Sequence, residues 1–348
     1  PEVIDLWKQM NKWTLDGIGE TYKKTGISFD KFYYESNTYK MGRDEILKGL
    51  EKGVFYKSED GAVWVDLEEL KLDKKVLLRS DGTSLYMTQD IGTVVFRHED
   101  WPFEQLIYVV GSEQQYHFRV LFHVLKKLGF PWAENLHHLS YGMVNLPEGK
   151  MKSREGTVVD GDDLVDDLIR LAREEIIAKE RQNEVDDLDK TANAIAMAAM
   201  NYYLLQTSPT KDMIFNPKES ISFNGNTGPY LQYMGARISS VLRKYETMEI
   251  SGSFSADLLS LDEERELIKM VSAFPAKVDE AAQTLSPNVI TTYLYDLARG
   301  FSKYYHDNSV LHNDNHDLIV SRVTLASAIR QVFKNAFPLV GIPFLDKM

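Results

Sequence analysis

The run Leu106-Ile107-Tyr108-Val109-Val110 constrains this chain more than any other stretch. It is continuously apolar with β-branched members and stops at Gly111, the pattern of a parallel strand buried on both faces. Phe118 to Leu128 follows as a predicted helix, with Val120, Leu121, Val124, Leu125 and Leu128 on one face and Gly129 as its stop. A second strand-like stretch, Leu139 to Val144, completes a β–α–β unit. A parallel pair joined through a helix predicts part of a doubly wound, Rossmann-like α/β sheet. Ligands of such sheets bind beyond the carboxyl ends of the strands, where the Gly111 segment and residues 149–156 fall.

The rest of the first 160 residues alternates between helical and strand-like patterns. Residues 2–25 read as an amphipathic helix, with Ile4, Leu6, Trp7, Met10, Trp13 and Ile18 near helical spacing. Phe29 to Tyr34 is aromatic-rich and predicts a strand; Glu45 to Lys52 predicts a short helix ending at Gly53. Ala62 to Val65 and Val76 to Arg79 read as strands, the second parted from strand-like Leu85-Tyr86-Met87 by the turn Ser80-Asp81-Gly82-Thr83. Helix resumes near Thr88 to His98.

From Asp162 the pattern becomes helical almost throughout. A charged helix over 162–183 is followed by helices over 190–206, 228–245, 262–285, 287–306 and 315–336. Ser286-Pro287 predicts an N-cap with proline in the first turn, and Ile290, Leu294, Leu297 and Phe301 a buried stripe. The expected organisation is an α/β part over 1–160, a connecting helical segment over 161–189, and an all-α helical bundle over 190–348.

Composition narrows the functions. With 43% hydrophobic residues the chain can bury a full core, and no run of eighteen apolar residues predicts a membrane span. Cysteine is absent, which removes disulfides, thiolate nucleophiles and cysteine zinc sites and suits a reducing cytoplasm. A net charge of −12 argues against a broadly basic nucleic-acid binder, although local basic patches and stacking can still grip a folded RNA. Neither Gly-x-Gly-x-x-Gly nor a phosphate-loop motif is present. His312 and His316 have metal-like spacing but lie among Asn and Asp in an expected turn, so no metal site is assigned. Pro1 replaces a start methionine at the head of a helix, which reads as a piece of a longer protein.

One segment carries unusual chemistry. Gly149-Lys150-Met151-Lys152-Ser153-Arg154-Glu155-Gly156 sets three cations between two glycines. Such a hinged loop can be a solvated turn, or it can close over a polyvalent anion such as a triphosphate and offset charge on its leaving group.

Taken with three further stretches, this loop gives the chain a resemblance to the arginyl-tRNA synthetases, a class I family, over essentially its whole length. Those stretches are Ser80 to Ile91, Gly111-Ser112-Glu113-Gln114-Gln115-Tyr116, and Asn226-Thr227-Gly228-Pro229-Tyr230-Leu231-Gln232-Tyr233-Met234-Gly235-Ala236-Arg237-Ile238. The loop itself resembles the family's KMSKS segment, read here as Lys-Met-Lys-Ser-Arg, so that Ser153 stands where the second lysine belongs. The implied fold is a nucleotide-binding α/β domain followed by a helical anticodon-binding domain. The implied reaction is ATP-dependent activation of L-arginine and its transfer to tRNA(Arg), with Mg2+ accompanying ATP and the full-length form a cytoplasmic monomer.

The resemblance also implies roles. A guanidinium substrate calls for a carboxylate of matching fork geometry. Asp90 matches that partner, with Tyr86 one turn earlier, Glu35 as a second acid and Gln114 as a further polar contact. Gly111, Met143 and Val144 would border the adenosine of ATP, together with Lys150, Met151, Lys152 and Ser153. Lys150, Lys152 and Arg154 would serve the triphosphate. Tyr230, Tyr233, Arg237 and Tyr305 would meet the anticodon, although Leu231, Met234 and Ile238 compete for the buried face of the same helix. Tyr304 is a weaker candidate. The family's His-Ile-Gly-His-like signature does not occur in these residues and is expected upstream of Pro1, so this chain alone is expected not to make the adenylate. Two other readings stay open: a non-catalytic RNA-binding adaptor derived from the same fold, and a relative charging another amino acid.

Overall fold

A computed structural model describes residues 2–38, 41–147, 160–183 and 185–348. The described residues form two units, one from Ser28 to Met143, the other joining the stretch before Ser28 to the chain from Val144 onward. Lys150, Met151, Lys152, Ser153 and Arg154 lie outside the described residues.

The first predicted helix forms as α1 (Glu2–Thr25). Its apolar stripe faces solvent: Trp7 is 57% and Trp13 60% exposed, with Val3, Ile4, Leu6 and Met10 beside them. Its C-terminal end is tied down by polar contacts instead. Lys24 pairs with Asp166 at 2.7 Å, and the Thr21 hydroxyl donates to Asp162 at 2.8 Å.

The unit from Ser28 begins with a correction. Phe29 to Tyr34 is irregular, not a strand. Its rings pack on one another, Phe29 on Phe32 at 5.5 Å and Phe32 on Tyr34 at 6.3 Å, while the Tyr33 hydroxyl donates to Asp100 at 2.6 Å. Side-chain contacts there take the place of a ladder. After α2 (Glu35–Thr38) and α3 (Met41–Glu51) come β1 (Tyr56–Lys57), β2 (Val63–Val65) and β3 (Lys75–Leu78), an antiparallel sheet in that order. Leu85-Tyr86-Met87 does not extend it. A single bridge joins Leu78 to Ser84, and α4 (Tyr86–Asp100) starts at once. Met87, Ile91, Val94 and Val95 recur at helical spacing and are buried, and the buried Thr88 hydroxyl donates to the Leu77 carbonyl, so packing overrides the strand propensity of Tyr86.

The β–α–β unit forms as expected from β4 (Leu106–Gly111), α5 (Gln115–Leu128) and β5 (Leu136–Tyr141), parallel from Leu106 opposite Leu136 to Gly111 opposite Tyr141. Gly129 ends α5 at φ +89°, a conformation that glycine takes without steric cost. β4 is less enclosed than its composition predicts: among the described residues β5 is its sheet neighbour, and Val109 is 64% exposed. Leu77, Ile91, Val94, Val120, Leu121 and Val124 make the fully buried centre of this unit.

The other unit continues with β6 (Val144–Asn145), α6 (Gly161–Ala178), α7 (Leu188–Leu205) and β7 (Met213–Ile214), which pairs parallel with β6. Asp160 and Asp187 cap α6 and α7, each side chain accepting from a backbone N–H of the first turn. Then come α8 (Pro217–Ser220), α9 (Gly228–Glu246), α10 (Asp262–Thr284), α11 (Asn288–Asp307) and α12 (His316–Ala336). The predicted stripe of Ile290, Leu294, Leu297 and Phe301 is buried against Leu231, Met234 and Ile329, among others. Ser286 is not the cap of α11. The link from α10 is so short that Leu285 turns at φ +50° and the Ser286 hydroxyl donates back to the Thr284 carbonyl at 3.0 Å.

Candidate functional site

In the unit from Ser28 to Met143 the candidate substrate residues gather around α4. Tyr86 is its first residue, 80% exposed, and Asp90 lies one turn on. Asp90 is not free: its Oδ2 lies 2.6 Å from Nε2 of His117, in the first turns of α5. His117 was not singled out from sequence. Gln114, exposed, immediately precedes α5. Glu35, also exposed, opens α2, which packs on α4 and is joined to it by Thr93 donating to Thr38 at 2.9 Å. Two helices and one helix start thus carry Tyr86, Asp90, Glu35, Gln114 and His117.

Behind them α4 carries a second polar group. The Arg97 guanidinium lies 5.4 Å over the Tyr33 ring and hydrogen-bonds Tyr108 on β4. Burial pushes the Tyr108 phenol well up, so it stays a neutral donor; Arg97 works against that rise and the charge of Asp90 adds to it. Asp100 holds the segment before Glu35. Its carboxyl lies below the usual range, chiefly because Lys31 and then Tyr33 donate to it.

Gly111 closes β4, where an added Cβ would meet only the Tyr141 ring, at 3.7 Å, so the protein itself leaves room for one. Met143 is 43% exposed. In the other unit, Val144 sits on β6, opposite Met213.

The helical unit holds the second candidate group. Tyr233 and Arg237 lie one turn apart on α9, and Tyr305 on α11. The Arg237 guanidinium is 4.7 Å over the Tyr305 ring and 6.0 Å from that of Tyr233. Arg181, missed from sequence, lies 5.9 Å over Tyr233 and donates to the Met348 carbonyl at 3.1 Å. Rings and guanidinium planes therefore alternate across α9. Arg237 and Ser240 line two cavities, about 370 and 420 Å³, the first bordered by Lys244, Tyr305 and His312, the second by Arg181, Arg243 and Lys347. Tyr230 is half buried against Tyr295 at 6.0 Å, and burial raises its phenol. Tyr304 does not belong here: it is 1% exposed and donates to the buried Glu264 at 3.0 Å, because helical periodicity turns it into the core. His316 spends Nδ1 on the Ser251 carbonyl at 3.3 Å, and among the described residues no three of His, Cys, Asp and Glu come together as a metal set.

A parallel β–α–β unit followed by a helical bundle places the chain among the class I tRNA synthetases. The family described as "tRNA synthetases class I (R), catalytic domain" matches residues 1–217, and the "DALR anticodon binding domain" matches residues 231–348. The chain belongs to the arginyl-tRNA synthetase family. It is 60% identical to a protein named arginine–tRNA ligase from Treponema denticola and 49% identical to one from Bacteroides fragilis, in each case over 100% of this chain. It spans 60% of the length of the first and 59% of the second. Its fold matches that of Thermus thermophilus arginyl-tRNA synthetase with a TM-score of 0.87 at 26% identity, covering 99% of this chain and 64% of that one. A Mycobacterium tuberculosis methionyl-tRNA synthetase shares the fold at TM-score 0.66 and 12% identity, covering 94% of this chain and 77% of that one.

Proposed function

We propose that the chain is part of an arginine–tRNA ligase, which activates L-arginine with ATP and transfers it to tRNA(Arg). The observation that carries this is the 60% identity to an arginine–tRNA ligase over the whole chain, with the catalytic and anticodon-binding matches in order. Asp90 takes the substrate guanidinium through charge-assisted hydrogen bonds, with Tyr86, Glu35 and Gln114 around it. ATP enters as its magnesium complex, its adenosine against Gly111, Met143 and Val144. Lys150, Lys152 and Arg154, with Met151 and Ser153, serve its phosphates. Tyr233, Arg237 and Tyr305 stack with anticodon bases, and Tyr230 supports them from its half-buried place on α9. In this reading the domains divide near 160 and 190, and the full-length protein works as a cytoplasmic monomer. No helix among the described residues is long and apolar enough to cross a membrane.

Retention of tRNA on filters tests the reading. The chain is expected to hold a tRNA(Arg) transcript and to release one whose anticodon has been exchanged; equal retention of both would defeat it. Pyrophosphate exchange by these 348 residues alone is expected to be absent, since no His-Ile-Gly-His-like sequence occurs in them.

A further inference from the structure

We propose that His117 is a positioning residue for arginine recognition, holding the Asp90 carboxylate in the orientation that accepts a cationic side chain. The inference rests on Asp90 being the guanidinium partner and extends it to a residue on another helix.

The two side chains are 2.6 Å apart, Nε2 to Oδ2, and differ in exposure: 47% for Asp90 and 21% for His117. The carboxylate faces outward and the imidazole backs it. An exposed Asp on a helix surface samples several rotamers, and a ligand that needs one of them must bear the cost of ordering it. His117 removes that freedom beforehand, because its own ring is fixed. It stands edge-on to Phe118 at 5.7 Å, and Phe118 packs on Tyr108 of β4 at 4.8 Å and on His138 of β5 at 4.4 Å. The orientation of the carboxylate is thereby referred to the parallel strands.

A carboxylate only accepts, so Nε2 carries the hydrogen and donates. A neutral imidazole suits this task. It orients Asp90 without cancelling its charge, and it leaves Oδ1 and the remaining lone pairs of Oδ2 for a guanidinium. A permanent cation at position 117 would instead fill the carboxylate itself. Arg97, the cation two turns along α4, is engaged by Tyr33 and Tyr108.

The test is calorimetric binding of L-arginine and of L-citrulline, its uncharged analogue, to the whole 348-residue chain and its variants. The unsubstituted chain is expected to prefer arginine, and Asp90→Asn to lose that preference. His117→Leu should weaken arginine binding about tenfold, the factor expected for one hydrogen bond to a charged group, with an unchanged melting temperature. His117→Gln, which carries an N–H donor close to the position of Nε2, should restore most of the affinity, and His117→Arg should abolish it. Side-chain 15N spectra of the unliganded chain should show His117 as the neutral Nε2–H tautomer. Full arginine affinity in His117→Leu, with Asp90→Asn still defective, overturns the positioning role and leaves the reading of Asp90 standing. Unchanged binding in Asp90→Asn, or no preference for arginine in the unsubstituted chain, removes that reading and this proposal with it. Should His117→Leu not fold, the Gln variant decides: a folded Gln protein lacking affinity overturns the proposal.

Discussion

Gly92 of α4 rests directly on Gly42 of α3, so closely that a Cβ on Gly92 would lie 2.1 Å from the Gly42 nitrogen and one on Gly42 1.6 Å from the Thr88 carbonyl oxygen. Backbone meets backbone, and no side chain can rotate away to make room. The crossing sets the position of α4 and therefore of Tyr86 and Asp90, which it carries. Gly92→Ala is expected to cost about 3 kcal/mol, at the upper end of the usual overpacking penalty. An unchanged urea midpoint for that variant would contradict a contact this tight.

In the helical unit Glu264 is fully buried, and its Oε1 accepts from Arg322 Nε at 2.8 Å and from the Tyr304 hydroxyl at 3.0 Å. Its Oε2 accepts the Leu261 N–H at 3.1 Å, closing the first turn of α10. Arg322→Met strands a buried carboxylate, with an expected loss of about 3–5 kcal/mol. Removing both partners, as Arg322→Met with Glu264→Met, should cost less than the sum of the single changes. A urea-denaturation cycle measures the coupling, and additive losses would mean that the pair does not act as a unit.

What could be read from the sequence depended on whether the signal was local. Leu106 to Val110, the α5 stripe and the α11 stripe declare themselves through periodicity, and each forms. Leu85-Tyr86-Met87 misled because three residues carry a propensity but not a partner, and α4 is decided by what Met87, Ile91 and Val94 bury against. The stripe of α1 was legible as an apolar face, but periodicity does not say what such a face meets. Among the site residues, Asp90 followed from substrate chemistry and family resemblance, whereas its partner His117 lies 27 residues away on another helix. No spacing rule spans that distance; the β–α–β crossover brings the two together.

Acid should loosen the C-terminal segment. Asp346 accepts from Arg330 at 2.5 Å and from Ser239 at 2.9 Å, and its backbone carbonyl accepts from Arg243 at 2.9 Å. Partial burial works against the charged form, but the hydrogen bonds from Arg330 and Ser239 outweigh it and hold the carboxyl below its ordinary range. A folded-state pKa below the unfolded one gives stability that is complete above the ordinary carboxylate range and is lost as pH falls through the depressed value. Melting temperatures of the native chain and of Asp346→Asn should therefore differ at pH 7 and converge towards pH 3. A gap that persists undiminished into acid would rule out this carboxylate as its source.

The alternation of Arg181, Tyr233, Arg237 and Tyr305 separates two contributions to RNA binding. A stacked base is worth about 1–3 kcal/mol by alanine substitution, and that energy is largely insensitive to salt; a phosphate contact weakens steeply as salt rises. Tyr305 lies flat under the Arg237 guanidinium and stacks on Phe301 at 5.9 Å, so its side chain is held in place for stacking. Tyr305→Ala should weaken tRNA(Arg) binding about tenfold, by a similar factor at 50 and 200 mM salt. Arg237→Gln, which removes both a plane and a charge, should lose more at the lower salt and reduce the salt slope by about one unit. Filter binding across a salt series, with an anticodon-exchanged transcript as control, checks both expectations. If the exchanged transcript responds to Tyr305→Ala as strongly as tRNA(Arg) does, the ring does not read the anticodon, and the face of α9 grips the backbone alone.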